Sequence, residues 1–156
     1  MWSGPYCDGV GTLGRAARPS DINSWLELVI EVEGLFGPAP TFEDLLRRAI
    51  GRGTAIVVDD HGLVAGGALL SADGQPHRIH WLAVRQSRRG RGVGSALVSS
   101  ALERWRAGDV DVVTFTSDVP AGAPARRLYE RFGFVCRGRA GAAPDGAPRD
   151  LFVLTR

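Results

Sequence analysis

The chain has 156 residues, 44% hydrophobic and 23% charged, which is the balance of one globular domain that buries a core rather than of a disordered or membrane chain. All nineteen basic residues are arginine, which excludes Schiff-base catalysis, the lysine-dependent phosphate loop of nucleotide-triphosphate enzymes and the protein-kinase arrangement. The net charge of +2 is too small to argue for nucleic acid.

Residues 1–10, with Gly4, Pro5 and Gly9, read as a loose extension ahead of a single domain over 11–156. A short strand is expected from Thr12 to Ala17. Pro19, Ser20 and Asp21 carry helix-start chemistry, and Ile22, Trp25, Leu26, Val29, Val32 and Phe36 recur at helical spacing up to a stop near Gly34. On that wheel Glu33 falls within the apolar stripe, either as a ligand-facing acid or as a helix-end residue already turned to solvent. A second helix runs from Phe42 to Ile50 and is closed by Gly51 and Gly53.

The period then changes to that of strands. Thr54–Val58 and Leu63–Leu70 form a hairpin pattern around residues 59–62, and His77–Val84 makes a third strand. A glycine-rich basic loop leads into a helix over Val93–Ala107. Val110–Thr116 reads as a buried strand, Pro124 opens a helix that Gly133 ends, and Phe134–Arg137 and Leu151–Thr155 close the chain around the stretch Gly138–Pro148. This alternation indicates an α/β domain with a mixed sheet.

Charge is distributed unevenly. Six acids and no arginine lie between Pro19 and Leu46, whereas five arginines and no acid lie between Arg78 and Leu102. Such asymmetry suits an anionic ligand at one place and a cationic one at another, or two ordinary solvated faces. Cys7 and Cys136 have neither metal-ligand spacing nor a disulfide framework, and no metal is called for. No run of about 20 apolar residues and no signal-peptide pattern occurs, so a cytoplasmic protein without a membrane partner is expected.

The most informative segment is the strand of residues 79–84 feeding the loop 85–91 and then a helix. Unpaired amides and the positive end of a helix dipole meet there, which suits a diphosphate. Gly90, Gly92 and Gly94 remove Cβ atoms from the approach, and Arg88, Arg89 and Arg91 supply charge. The glycines alternate as G-x-G-x-G, so the dinucleotide fingerprint is not met. A loop built only for tight turning is the plainer alternative.

The run Arg89-Gly90-Arg91-Gly92-Val93-Gly94, preceded by Leu82-Ala83-Val84 and followed by Ala125-Arg126-Arg127-Leu128-Tyr129 and Gly133-Phe134, resembles the GCN5-related N-acetyltransferases from about Thr12 to Arg156. The resemblance implies the acyl-CoA N-acyltransferase fold, a mixed, mostly antiparallel sheet of about six to seven strands flanked by about four helices. It implies acetyl-CoA as cosubstrate, its diphosphate on the amides of residues 89–94 with Ser95 nearby. The pantetheine arm would lie along Leu82, Ala83 and Val84, and an amide near Leu82 or Ala83 would receive the carbonyl oxygen. Tyr129 is implied as the acid that protonates the leaving thiolate, although by spacing alone it reads as a core aromatic.

The base for the incoming amine is open among Asp118, His80, Glu33 and a water chain. His80 alternates with Trp81, so only one of them faces a cleft. The acceptor, a small-molecule or peptide amine, is expected between the N-terminal helices and Gly138–Pro148, with Trp25, Glu33 and Phe36 as candidate contacts. The family often has Asn where this chain has Gly122, which leaves a non-catalytic acyl-CoA sensor as the alternative. A nucleic-acid partner is not expected, and both monomer and homodimer remain open.

Overall fold

The computed structural model describes residues 13–74, 76–141 and 146–156. The expected extension over 1–10, the start of the first strand at Thr12 and the middle of the Gly138–Pro148 stretch lie outside the described residues. In chain order the elements are β1 (Arg15–Ala16), α1 (Ile22–Glu31), α2 (Glu33–Phe36), α3 (Phe42–Arg52), β2 (Ala55–Asp60), β3 (Leu63–Leu70), β4 (His77–Val84), α4 (Val93–Arg104), β5 (Val110–Phe115), α5 (Ala123–Arg131), β6 (Val135–Arg139) and β7 (Arg149–Leu154). Short 3-10 turns at Pro19–Asp21, Gln86–Arg88 and Pro120–Gly122 precede α1, α4 and α5.

The seven strands are ordered β1-β2-β3-β4-β5-β7-β6. Pairs β1–β2, β2–β3, β5–β7 and β6–β7 are antiparallel, while β4–β5 is parallel. The sheet is therefore mixed and mostly antiparallel, as expected. Five α-helices accompany it among the described residues, because the single N-terminal helix of the sequence pattern breaks at Val32 into α1 and a one-turn α2.

Contacts divide the chain into two compact units, Met1–Leu70 with Trp81–Arg104, and Ser71–His80 with Trp105–Arg156. The first holds an apolar core. Trp25 and Leu28 of α1, Leu46 of α3, Val57 of β2 and Val64 of β3 are fully buried in one cluster, worth about 2–3 kcal/mol for each large side chain. Two consecutive glycines in β3 let helices approach. A Cβ on Gly67 would stand 2.6–2.8 Å from three atoms of the Trp25 indole, and one on Gly66 would stand 2.6 Å from Val93 of α4. Any side chain at either position pushes a helix away. The β2–β3 hairpin turns on His61 and Gly62, both at positive φ, as two-residue hairpin turns require.

In the second unit β5 pairs with His77, Arg78 and Ile79 of β4, and with β7 on its other side. Asp111 on β5 takes a two-pronged contact from Arg78, at 2.5 and 2.8 Å. His77 stacks on Trp105 at 4.8 Å with an interplanar angle of 7°. Helix α5 buries Leu128 and Tyr129, and its Arg126 lies over the Phe152 ring while bonding Asp150 and the Phe115 carbonyl. Every residue of β6 is exposed, and its register against β7 shifts between Cys136 and Arg139.

Candidate functional site

The segment from Arg85 to Ser95 falls into two parts. In its first four residues Arg85, the Gln86 N–H and Arg88 are tied to other elements. The Arg85 N–H donates to Ala65 O at 2.7 Å, and its guanidinium donates to Val64 O and Ser24 O, both at 3.0 Å. Glu31 of α1 accepts the Gln86 N–H at 2.9 Å. Arg88 Nε donates to Asp60 Oδ2 at 2.6 Å, and that bond holds the Asp60 carboxyl below its ordinary range.

The second part is the reverse. Among the described residues no group accepts from the N–H of Gly90, Arg91, Gly92, Val93, Gly94 or Ser95, and the first bond of α4 runs from Ala96 N–H to Gly92 O. Gly90 and Gly92 sit at φ +74° and +80°, a region a side chain resists. Neither has a neighbouring atom within reach of a Cβ, so backbone conformation is what selects glycine there. Unfilled donors at the N-terminus of a twelve-residue helix form an anion seat. Arg89 and Arg91 are exposed beside it with no ion-pair partner among the described residues. These groups fit a diphosphate. Arg88, which the sequence placed around the ligand, is instead spent on Asp60.

Upstream of the loop, Leu82–Val84 ends β4, beyond the register that β5 shares with His77–Ile79. Ala83 is buried, its carbonyl facing Gly66. Trp81 packs inward against Trp25, Phe36 and Phe42, at ring separations of 5.9, 5.9 and 5.1 Å. His80, its neighbour in the alternation, is exposed. Partial desolvation of the ring, then the Arg78 charge, lowers the His80 pKa against an opposing pull from Asp111, which favours the neutral imidazole at pH 7.

One expectation needs correcting, and one open alternative is decided. Trp25 is 0% exposed, so it supports the site from the core and cannot touch an acceptor. Of the two readings of Glu33, the helix-end residue turned to solvent is the one the structure bears out. The helix stops at Val32, α2 starts a new turn, and the Glu33 side chain is exposed. Phe36, from the same turn, is 38% exposed against Trp81.

Tyr129 lies in the second unit, 3% exposed, its ring 5.5 Å from Phe134. Burial pushes its phenol well above the ordinary value, which keeps it protonated at neutral pH. Asp118 is exposed, and the Thr116 hydroxyl donates to it and holds it below the ordinary carboxyl range. It is therefore a weaker base than its type suggests. Gly122 packs so tightly on Phe115 that a Cβ would collide with that side chain, which gives the absence of Asn at this position a steric cause.

Sequence reasoning missed Asp60 and Glu31, which hold the loop from 28 and 55 residues away. Asp60 carried no local signal beyond a turn acid.

No curated protein matches the sequence. Among solved structures the fold resembles Ard1 from Thermoplasma volcanium, with 24% identity, TM-score 0.74 and 94% and 97% of the two chains covered. It also resembles a histone acetyltransferase HPA2 and related acetyltransferase from Corynebacterium glutamicum, with 21% identity, TM-score 0.66 and 92% and 95% coverage. A third is Arabidopsis thaliana Naa50 in complex with the bisubstrate analogue CoA-Ac-MVNAL, with 16% identity, TM-score 0.70 and 96% and 100% coverage. At these identities the likeness is one of fold. The sequence itself matches the acetyltransferase (GNAT) domain over residues 51–136, more than half of the chain, a span that includes both the loop with its open amides and the helix bearing Tyr129. By that match the chain belongs to the GNAT acetyltransferase family.

Proposed function

We propose that this acetyltransferase moves the acetyl group of acetyl-CoA onto a primary amine of a small molecule or peptide, by direct attack of the amine on the thioester. The observation that carries the reading is the row of N–H groups from Gly90 to Ser95, unfilled by any described residue and gathered at the start of α4. They bind the diphosphate, with Arg89 and Arg91 adding charge. The pantetheine arm pairs along Leu82, Ala83 and Val84 as an added strand. An amide near Leu82 or Ala83 receives the negative charge that grows on the carbonyl oxygen.

The amine nitrogen forms its bond to the acetyl carbon, and the carbon–sulfur bond then breaks. Tyr129, protonated at neutral pH, gives its proton to the departing sulfur. Of the base candidates His80 suits best, being exposed and neutral at pH 7, whereas Asp118 is stabilised as the anion. The bisubstrate analogue bound to Naa50 supports an acceptor of the peptide class, and the acids of α1 and α3 suit a cationic one.

The test is isothermal titration with coenzyme A, followed by turnover against an amine panel with wild type and Tyr129→Phe. The expected result is binding, turnover with at least one amine, and a loss of about 10-fold or more in kcat with acetyl-CoA affinity kept in the variant. Absence of coenzyme A binding overturns the reading. Binding without turnover on any amine points instead to an acyl-CoA sensor, which Gly122 in the usual Asn position favours.

A further inference from the structure

We infer that Asp60 is a positioning residue for the diphosphate loop, acting through Arg88. The inference rests on the reading of residues 90–95 as the coenzyme A seat. Asp60 is the last residue of β2, just past a register shift between Val58 and Asp59, a bulge of the kind that re-aims the side chains beyond it. Its side chain is 10% exposed and its two oxygens are divided, Oδ2 accepting from Arg88 Nε at 2.6 Å and Oδ1 facing His61 Nδ1 at 3.0 Å. Arg88 is held further by the Ser87 hydroxyl at 3.1 Å.

Beyond Arg88 the chain has one local turn bond, from Arg89 N–H to Gln86 O at 3.3 Å, and then nothing until Ala96 N–H reaches Gly92 O. The open amides thus hang between two anchors, the Asp60–Arg88 pair on one side and α4 on the other. Two glycines at positive φ with empty surroundings make the span between them pliable. With the first anchor gone, the ligand itself must order the loop, and affinity drops by that entropy. Arg88 is already paired with Asp60, which separates its role from that of Arg89 and Arg91, neither of which has an ion-pair partner among the described residues.

The experiment compares wild type, Asp60→Asn, Asp60→Glu and Arg88→Met, each checked for a folded thermal transition. Coenzyme A affinity is read by titration, and kcat and KM for acetyl-CoA are read separately. Asp60→Asn and Arg88→Met should each raise Kd and KM by about 10-fold, with kcat at saturation falling less than about two-fold. Asp60→Glu should recover most of the affinity. Unchanged Kd in both Asp60→Asn and Arg88→Met overturns the inference while leaving the coenzyme A seat intact. A fall in kcat with constant KM, or lowered thermal stability with constant Kd, overturns it equally. Wild type that does not bind coenzyme A removes the underlying reading, and the inference with it.

Discussion

Residues 85–88 and 89–95 are neighbours in one loop with the same composition of arginine and small residues, yet they are opposites in structure. In the first stretch both arginine side chains and the Gln86 N–H are bonded to other elements, and in the second the backbone donors from Gly90 to Ser95 have no acceptor among the described residues. Five arginines between 78 and 91 look like one basic patch in the sequence. Arg78 is spent on Asp111, Arg85 on two carbonyls and Arg88 on Asp60, which leaves Arg89 and Arg91. Charge density along a chain thus overstates the charge a ligand meets. A loop of this kind needs rigid footing and an open rim, and the same residue type builds both.

The sharpest way to break this contrast is at the footing. Arg85→Met removes charge-assisted bonds to Val64 O and Ser24 O, leaving largely buried acceptors unfilled, and should lower unfolding stability by about 3 kcal/mol in a denaturant titration. Normal stability with weakened coenzyme A binding would place Arg85 at the rim instead. At the rim, Gly92→Ala meets no neighbour but forces a side chain into φ +80°. The strain of about 1–2 kcal/mol should appear as about 10-fold weaker coenzyme A binding with little change in melting temperature. Equal binding would show that the loop can flip that peptide freely. Smallest is Arg91→Met, an exposed charge whose loss should weaken binding only a few-fold, with a shallower dependence on salt. Unaltered salt dependence would assign the electrostatic contact to Arg89 alone.

What was legible in the sequence follows from how local each signal is. The bounds of β3 and β4 and the start of α4 agree with the structure, because alternation, glycine punctuation and helical spacing are properties of adjacent residues. The open amides were legible too, since a strand, a glycine-rich turn and a helix start are enough to create them. The stop at Val32 was not. Val32 is an ordinary helix residue, and its N–H still bonds Leu28 O while the next turn starts afresh, so the wheel ran on one turn too far and carried Glu33 onto the wrong face. Neither was the insertion of β7 between β5 and β6, nor the bond from Asp60 to Arg88. Strand order and ion pairing join residues far apart in the chain, and composition carries no record of which distant partner wins. Trp25 shows the same limit at one position. An indole at helical spacing reads most simply as core, and the close approach at Gly67 of β3 seats it there, but nothing local shows which glycine it meets.

Strand β6 ends the sheet order with five exposed residues, among them Val135 at 52%. A flat apolar border would invite other chains to add strands and grow into aggregates. Here the register shifts after Cys136, and the edge carries the exposed Arg137 and Arg139, the latter 3.7 Å from Asp150. Charge on an edge strand is the kind of feature that discourages strand addition between copies, a colloidal matter separate from any chemistry at the loop.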